Sequence, residues 1–145
     1  MELSSKLEYA LLALLELASS YDSGESLQIQ QIADAQKIPK RYLEQLLATL
    51  RCRGLIKSTR GVKGGYVLAR DPRTITVLDA LNCIEGLDTA YKSTNTPPES
   101  IGVKVIQELW EEARQALYSV LQKHTLQDLC DLRKKHSSMP LMYYI

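Results

Sequence analysis

The sequence contains no apolar stretch approaching the roughly 18 residues that a membrane-spanning helix needs, only three cysteines, and almost no net charge. Each absence removes a class of protein. The opening Met1-Glu2-Leu3-Ser4-Ser5-Lys6 has neither the basic nor the apolar region of a signal peptide, so the chain reads as cytoplasmic, with no membrane partner. Cys52, Cys83 and Cys130 are odd in number and far apart, unlike the paired framework of a small secreted domain or the CxxC spacing of a metal site. They read as reduced thiols: either small buried apolar side chains or, for Cys83 and Cys130, redox-active groups. Nucleophile–base pairings and metal-ligand spacings are also missing. The run Gly61-Val62-Lys63-Gly64-Gly65 lacks the strand-to-helix context and spacing of a nucleotide loop, so nothing indicates an enzyme.

What is present is an ordinary globular composition, 45% hydrophobic and 24% charged, in 145 residues. That length suits one compact domain with an appended element. The formal charge of +1 conceals a strong asymmetry. Between Gln36 and Arg73 lie Lys37, Lys40, Arg41, Arg51, Arg53, Lys57, Arg60, Lys63, Arg70 and Arg73, against only Glu44 and Asp71. The flanking regions are net acidic. Such concentration is the footprint of a polyanion-binding surface, because each neutralised phosphate releases counterions. A solvated charged face would produce the same count.

Periodicity supplies the organisation. Ser4 caps a first helix carrying Leu7, Leu11, Leu14, Leu15 and Ala18, which ends at the Tyr21-Asp22-Ser23-Gly24 turn. Ser26-Leu27-Gln28 suits an edge strand, and Ile29, Ile32 and Ala33 open a compact second helix. After a tight turn at Ala35–Ile38, Pro39 occupies the first position of a third helix, whose apolar face is Tyr42, Leu43, Leu46, Leu47 and Leu50 and whose end is a left-handed Gly54. Two strands then flank a glycine-rich tip, with Gly61, Gly64 and Gly65 serving conformation. Thr76 caps a short helix that Gly86 ends.

The expected fold is therefore mainly α with one small β-hairpin. It comprises a winged helix-turn-helix over residues 1–86, a polar linker over 87–100, and a long helix, short helix and tail over 101–145. In the long helix Val103, Ile106, Trp110, Ala113, Leu117 and Val120 recur in alternating steps of three and four. That stripe either covers the monomer core or pairs two copies, and the two-fold symmetry usual for helix-turn-helix proteins favours a homodimer. Leu126, Leu129 and Leu132 mark the last helix, and the apolar tail Met139–Ile145 is expected to be buried.

A helix-turn-helix presents the first turns of its second helix to the major groove, which places Lys40, Arg41 and Gln45 at base edges and the Tyr42 hydroxyl at phosphate. Glu44 has two roles open to it, accepting from a cytosine amino group or repelling wrong sites. At the wing tip, Arg60 and Lys63 add charge where glycines let the backbone approach DNA closely. Double-stranded DNA is thus the expected partner. The alternative is the same fold used only as a protein-interaction module.

These motifs together resemble the Rrf-two family of bacterial winged-helix regulators, the family of IscR, NsrR and CymR. The matching stretches are Ser5-Lys6 with Tyr9-Ala10, Ile38 with Tyr42-Leu43-Glu44-Gln45-Leu46, Leu50-Arg51 with Gly54-Leu55, and Arg60-Gly61 with Gly64-Gly65-Tyr66-Val67-Leu68. The resemblance implies a transcriptional regulator, dimeric through the long helix, acting on a palindromic operator with its recognition helix in the major groove and its wing in the minor groove. By position it assigns DNA contacts to Lys6, Lys40, Arg41, Tyr42, Gln45, Arg60, Lys63, Gly64 and Gly65. Leu7-Glu8 stands where many relatives have Gly-Arg, so a basic contact beside Lys6 is missing.

Cluster-binding relatives hold iron–sulfur through three closely spaced cysteines before the long helix. Here Asn82 to Val103 contains only Cys83. The expectation is no cofactor of that kind, as in CymR-like members, with the signal coming through a metabolic enzyme, a small-molecule effector or a thiol. A cluster with unusual ligands is the remaining alternative.

Overall fold

The structure, a computed structural model, describes residues 3–92 and 100–138, and of residues 87–92 the backbone alone. These residues form helices α1 (Ser5–Ser19), α2 (Ile29–Gln36), α3 (Lys40–Cys52), α4 (Val77–Lys92), α5 (Ile101–Gln122) and α6 (Leu126–Ser137). Strands β1 (Ile56–Thr59) and β2 (Gly65–Leu68) lie between α3 and α4, followed by a 3₁₀ turn at Pro72–Thr74. The tail Met139–Ile145 and most of the polar linker lie outside the described residues.

Helix α1 is the hub. Its N-cap Ser4 accepts the Leu7 N–H at 3.2 Å, satisfying one of the donors every helix start leaves free. The same hydroxyl donates to Glu85 of α4 at 3.0 Å. Leu7, Ala10, Leu14, Leu17 and Ala18 put one stripe of α1 into the core, and α2, α3, α4, α6 and β2 all pack around this helix. Leu11 and Leu15 lie at the flank of that stripe, half-buried. No polar or charged residue among the described ones is buried, so the core is held by burial of apolar surface alone.

Helix α3 ends as its sequence predicts. Gly54 takes φ +81°, its N–H donates to the Arg51 carbonyl at 3.0 Å, and the Leu55 N–H reaches back to Leu50 at 3.0 Å. This left-handed exit closes the last carbonyls of α3 and aims the chain straight into β1. The helix starts one residue later than expected: Pro39 is the N-cap and Lys40 the first helical residue.

One further expectation is corrected. Gly86 does not end α4, which runs on to Lys92; a glycine inside a helix costs only about 1 kcal/mol relative to alanine, too little to stop one that packs elsewhere. In α6 the buried residues are Leu126 and Cys130, while Leu129 is half-buried and Leu132 is exposed. Arg133, three residues after Cys130 on the same helix, reaches Glu16 of α1 at 3.0 Å. The start of α6 is stitched to the start of α4: Thr76 and Thr125 face each other in a β-bridge, and each forms a reciprocal cap with an aspartate three residues on, Asp79 and Asp128.

The hairpin pairs Ile56 with Leu68 and Thr59 with Gly65 in antiparallel register. A third short segment joins its outer edge. Leu27 bridges Tyr66 through two backbone bonds of 3.0 and 2.7 Å, so the Ser26-Leu27-Gln28 piece does pair as an edge, though only for one residue.

Candidate nucleic-acid interface

The buried face of α3 consists of Leu43, Leu46, Leu47 and Leu50, each at most 2% exposed. That face locks the helix against the core and forces the other one outward. Lys40, Arg41, Glu44, Gln45, Ala48 and Arg51 are all exposed, and their spacing puts them on one continuous side. Tyr42 lies at the edge of that side, half-buried, its ring meeting Tyr9 of α1 edge-on with centroids 5.5 Å apart and planes at 75°. The ring is thereby braced, and the Tyr42 hydroxyl has no hydrogen-bond partner among the described residues. Lys6 is exposed in the first turn of α1.

The basic segment divides in two. Arg70 pairs with Asp79 at 3.0 Å, and Arg73 with Asp71 at 2.9 Å. The Asp71 carboxyl is held below the usual carboxylate range first by its side-chain hydrogen bond from Arg73, and the Arg73 guanidinium is raised by the same bond. Those two arginines are satisfied within the chain. Lys37, Lys40, Arg41, Arg51, Arg53, Lys57, Arg60 and Lys63 are all exposed and form no ion pair among the described residues. Unpaired cations on consecutive elements repel one another; a polyanion removes that cost.

The wing tip is built by close backbone approach. Gly61, at φ +108°, makes the turn, with the Gly64 N–H donating to its carbonyl at 2.9 Å. Gly64 and Gly65 do not have positive φ; their glycine character answers to space. A Cβ on Gly64 would sit 2.7 Å from the Thr59 carbonyl oxygen, and one on Gly65 would sit 2.4 Å from that of Leu27. The conformational role expected of all three glycines therefore holds for Gly61 alone. Thr59 Oγ1 accepts the Gly65 N–H at 3.0 Å, and Ser26 Oγ donates to the Lys63 carbonyl at 2.5 Å. These ties fasten the wing to the loop before α2 and leave an open polar cleft of about 590 Å³ lined by Glu25, Gln28, Gln31 and Lys63. The sequence marks Ser26-Leu27-Gln28 as an edge strand but not which strand it joins, since its partners in the wing lie some forty residues away.

The stripe of α5 is open. Val103, Ile106, Trp110 and Val120 are 38%, 64%, 62% and 53% exposed, Ala113 is exposed and Leu117 half-buried, and no residue of this helix is buried. Ser100 caps the helix through the Val103 N–H at 3.2 Å, and Glu111 accepts from Arg114 and Gln115, each at 3.0 Å.

The three thiols are dispersed over three helices. Cys52 is exposed near the end of α3, Cys83 is half-buried in α4, and Cys130 is buried between α6 and α1, 3.8 Å from the Leu15 carbonyl and 4.0 Å from Ser19 Oγ. Burial raises both the Cys83 and the Cys130 thiol pKa, against smaller opposing effects from Arg53 beside Cys83 and from Ser19 beside Cys130.

A two-helix turn whose second helix exposes a polar, cationic face, followed by a basic hairpin, defines a winged helix-turn-helix DNA-binding protein. Comparison with known proteins supplies the rest. Residues 3–132 match the model of the Rrf2 family, described as iron-dependent transcriptional regulators, and the chain belongs to that family. It is 36% identical over 130 residues to the HTH-type transcriptional regulator CymR of Bacillus subtilis, covering 89% of each chain. Among solved structures, IscR of T. potens superposes with a TM-score of 0.78 at 35% identity over 99% of this chain and 97% of that one. CymR of B. subtilis, named there the global cysteine regulator, gives 0.75 at 34% identity over 91% and 98%. The protein is a DNA-binding transcriptional regulator and not an enzyme. Among the described residues no helix is long and apolar enough to cross a membrane.

The family description names iron, so the donor set matters. A thiolate-held cluster takes about four ligands, mostly cysteine, gathered at one place. Here the whole supply is three thiols on α3, α4 and α6, one of them turned into the core against α1. This set does not fit a cluster of the family type.

Proposed function

We propose that this regulator acts as a cytoplasmic homodimer on a palindromic operator, its α5 helices packed across the two-fold axis. In each protomer the first turns of α3 enter the major groove, with Lys40, Arg41 and Gln45 at base edges and the braced Tyr42 at phosphate. The wing enters the adjacent minor groove with Arg60 and Lys63, its backbone brought close at Gly64 and Gly65. Lys6 adds a phosphate contact from α1. The observation that carries this reading is the set of exposed cations without carboxylate partners along α3 and the hairpin. The open α5 stripe, about 26 Å long from Val103 to Val120 at 1.5 Å per residue, supports the dimer, since an exposed apolar surface of that extent marks an interface. The signal reaches the protein through an enzyme partner, a small effector or a thiol, and not through a family-type iron–sulfur cluster.

The test is a salt titration of binding to a duplex selected by the protein from a randomised pool. Replacing Arg60 and Lys63 together by alanine is expected to weaken binding and to flatten the plot of log affinity against log salt by about 4, one unit for each of the cations that the two wings of a dimer withdraw from the DNA. An unchanged affinity and slope would remove the wing from the interface.

A further inference from the structure

The wing carries one side chain that charge does not explain. Val62 sits at the apex of the tip, between Arg60-Gly61 and Lys63, and is 99% exposed. Single exposed apolar residues are common on protein surfaces, so the exposure of Val62 matters only through where it is held. This tip is tied down from three sides. Ser26 Oγ holds the Lys63 carbonyl, Leu27 holds Tyr66 through two backbone bonds, and the Gly64 N–H closes the turn onto Gly61. The isopropyl group is thus projected from a braced scaffold, flanked by two cations that have no ion-pair partner among the described residues.

We infer that Val62 is a specificity-determining residue, selecting A·T over G·C base pairs where the wing meets the minor groove. This rests on the proposed wing–DNA contact and adds a reading function to it. The minor groove shows only acceptors at A·T and T·A, whereas G·C places the guanine 2-amino donor at the groove floor. Arg60 and Lys63 favour narrow A·T-rich grooves through their negative potential, but they do not by themselves reject guanine. An isopropyl group pressed against the floor has no atom that accepts a hydrogen bond. A guanine amino group beneath it loses water and receives nothing in return, while the A·T floor keeps its donor-free surface. An unpaired polar group of this kind weakens binding by about tenfold.

The experiment uses the full-length protein and a duplex it selects from a randomised pool, with wing-protected positions located by hydroxyl-radical footprinting. At those positions of one half-site A·T is replaced by G·C or by inosine·C, which keeps the major-groove pattern of G·C but lacks the 2-amino group. Wild type is expected to bind the A·T and inosine·C duplexes alike and the G·C duplex about tenfold more weakly. Val62→Thr, an isostere whose hydroxyl can accept from guanine, is expected to bring that ratio close to one, with its melting temperature confirming an intact fold. If Val62→Thr leaves the ratio untouched while the Arg60, Lys63 double alanine variant still loses affinity, Val62 does not read the groove although the wing lies on DNA. The inference also falls if wild type binds inosine·C and G·C equally. If the double variant loses nothing, the wing is off the DNA and both readings fall.

Discussion

Replacing Gly65 by alanine tests how the wing is held. A Cβ there would lie 2.4 Å from the Leu27 carbonyl oxygen, 2.6 Å from its carbon and 3.1 Å from the Gln28 nitrogen, all backbone atoms with no rotamer to move away. The edge segment must therefore retreat, breaking the Leu27–Tyr66 bonds of 3.0 and 2.7 Å. Losing two such bonds and straining a packed contact costs about 2–4 kcal/mol together. For a chain of this size that is a fall in melting temperature of about 5–15 °C. Gly54→Ala is the control: φ is +81° but nothing lies within 4 Å, so the cost is only that of a left-handed alanine, about 1 kcal/mol and about 2–4 °C. Thermal denaturation followed by circular dichroism at fixed protein concentration gives both numbers, and hydrogen exchange at the Leu27 and Tyr66 amides locates the damage. If Gly65→Ala melts no lower than Gly54→Ala and both amides stay protected, the close approach of loop and wing is not what makes Gly65 a glycine.

Two other expectations concern the thiols and the long helix. With a thiol-blocking reagent at mildly alkaline pH, Cys52 reacts first, Cys83 more slowly and Cys130 slowest, since burial both shields the latter two and raises their pKa; mass spectrometry of timed samples shows the order, and modification of Cys130 as fast as Cys52 in folded protein contradicts it. The same shift means that stability from keeping these thiols neutral is present below the ordinary thiol pKa and is lost as pH rises through the raised one. Trp110→Glu places a charge in the middle of the α5 stripe, and because Trp110 is 62% exposed in the single chain it leaves the monomer fold intact. Sedimentation is expected to show a shift from dimer to monomer with unchanged helical content, whereas a variant that still sediments as a dimer moves the interface off this stripe.

How much was legible in the residues follows from the range of each interaction. The helix-turn-helix was legible because its signals are local: Ser4 caps within three residues, Gly54 closes α3 within five, and the leucines of α3 bury themselves by their own spacing. The cationic face was legible for the same reason, since burying Leu43, Leu46, Leu47 and Leu50 leaves Lys40, Arg41 and Gln45 nowhere to go but out. Gly86 misled because a glycine's helix penalty is small beside the packing of the helix that contains it. The leucines Leu126, Leu129 and Leu132 did mark a helix, Leu126–Ser137, but which of them is buried depends on the elements it packs against.

Sequence by itself thus determined the order of elements, the winged helix-turn-helix, the family and the residues that face outward on α3, all consequences of short-range periodicity and capping. Tertiary structure alone decided which cations remain unpaired, why Gly64 and Gly65 must be glycines, that Ser26 and Leu27 brace the wing, and that the three thiols end up on separate helices. Those outcomes depend on atoms brought together across tens of residues, where a few tenths of an ångström decide between a hydrogen bond and a clash, and no local pattern encodes such distances.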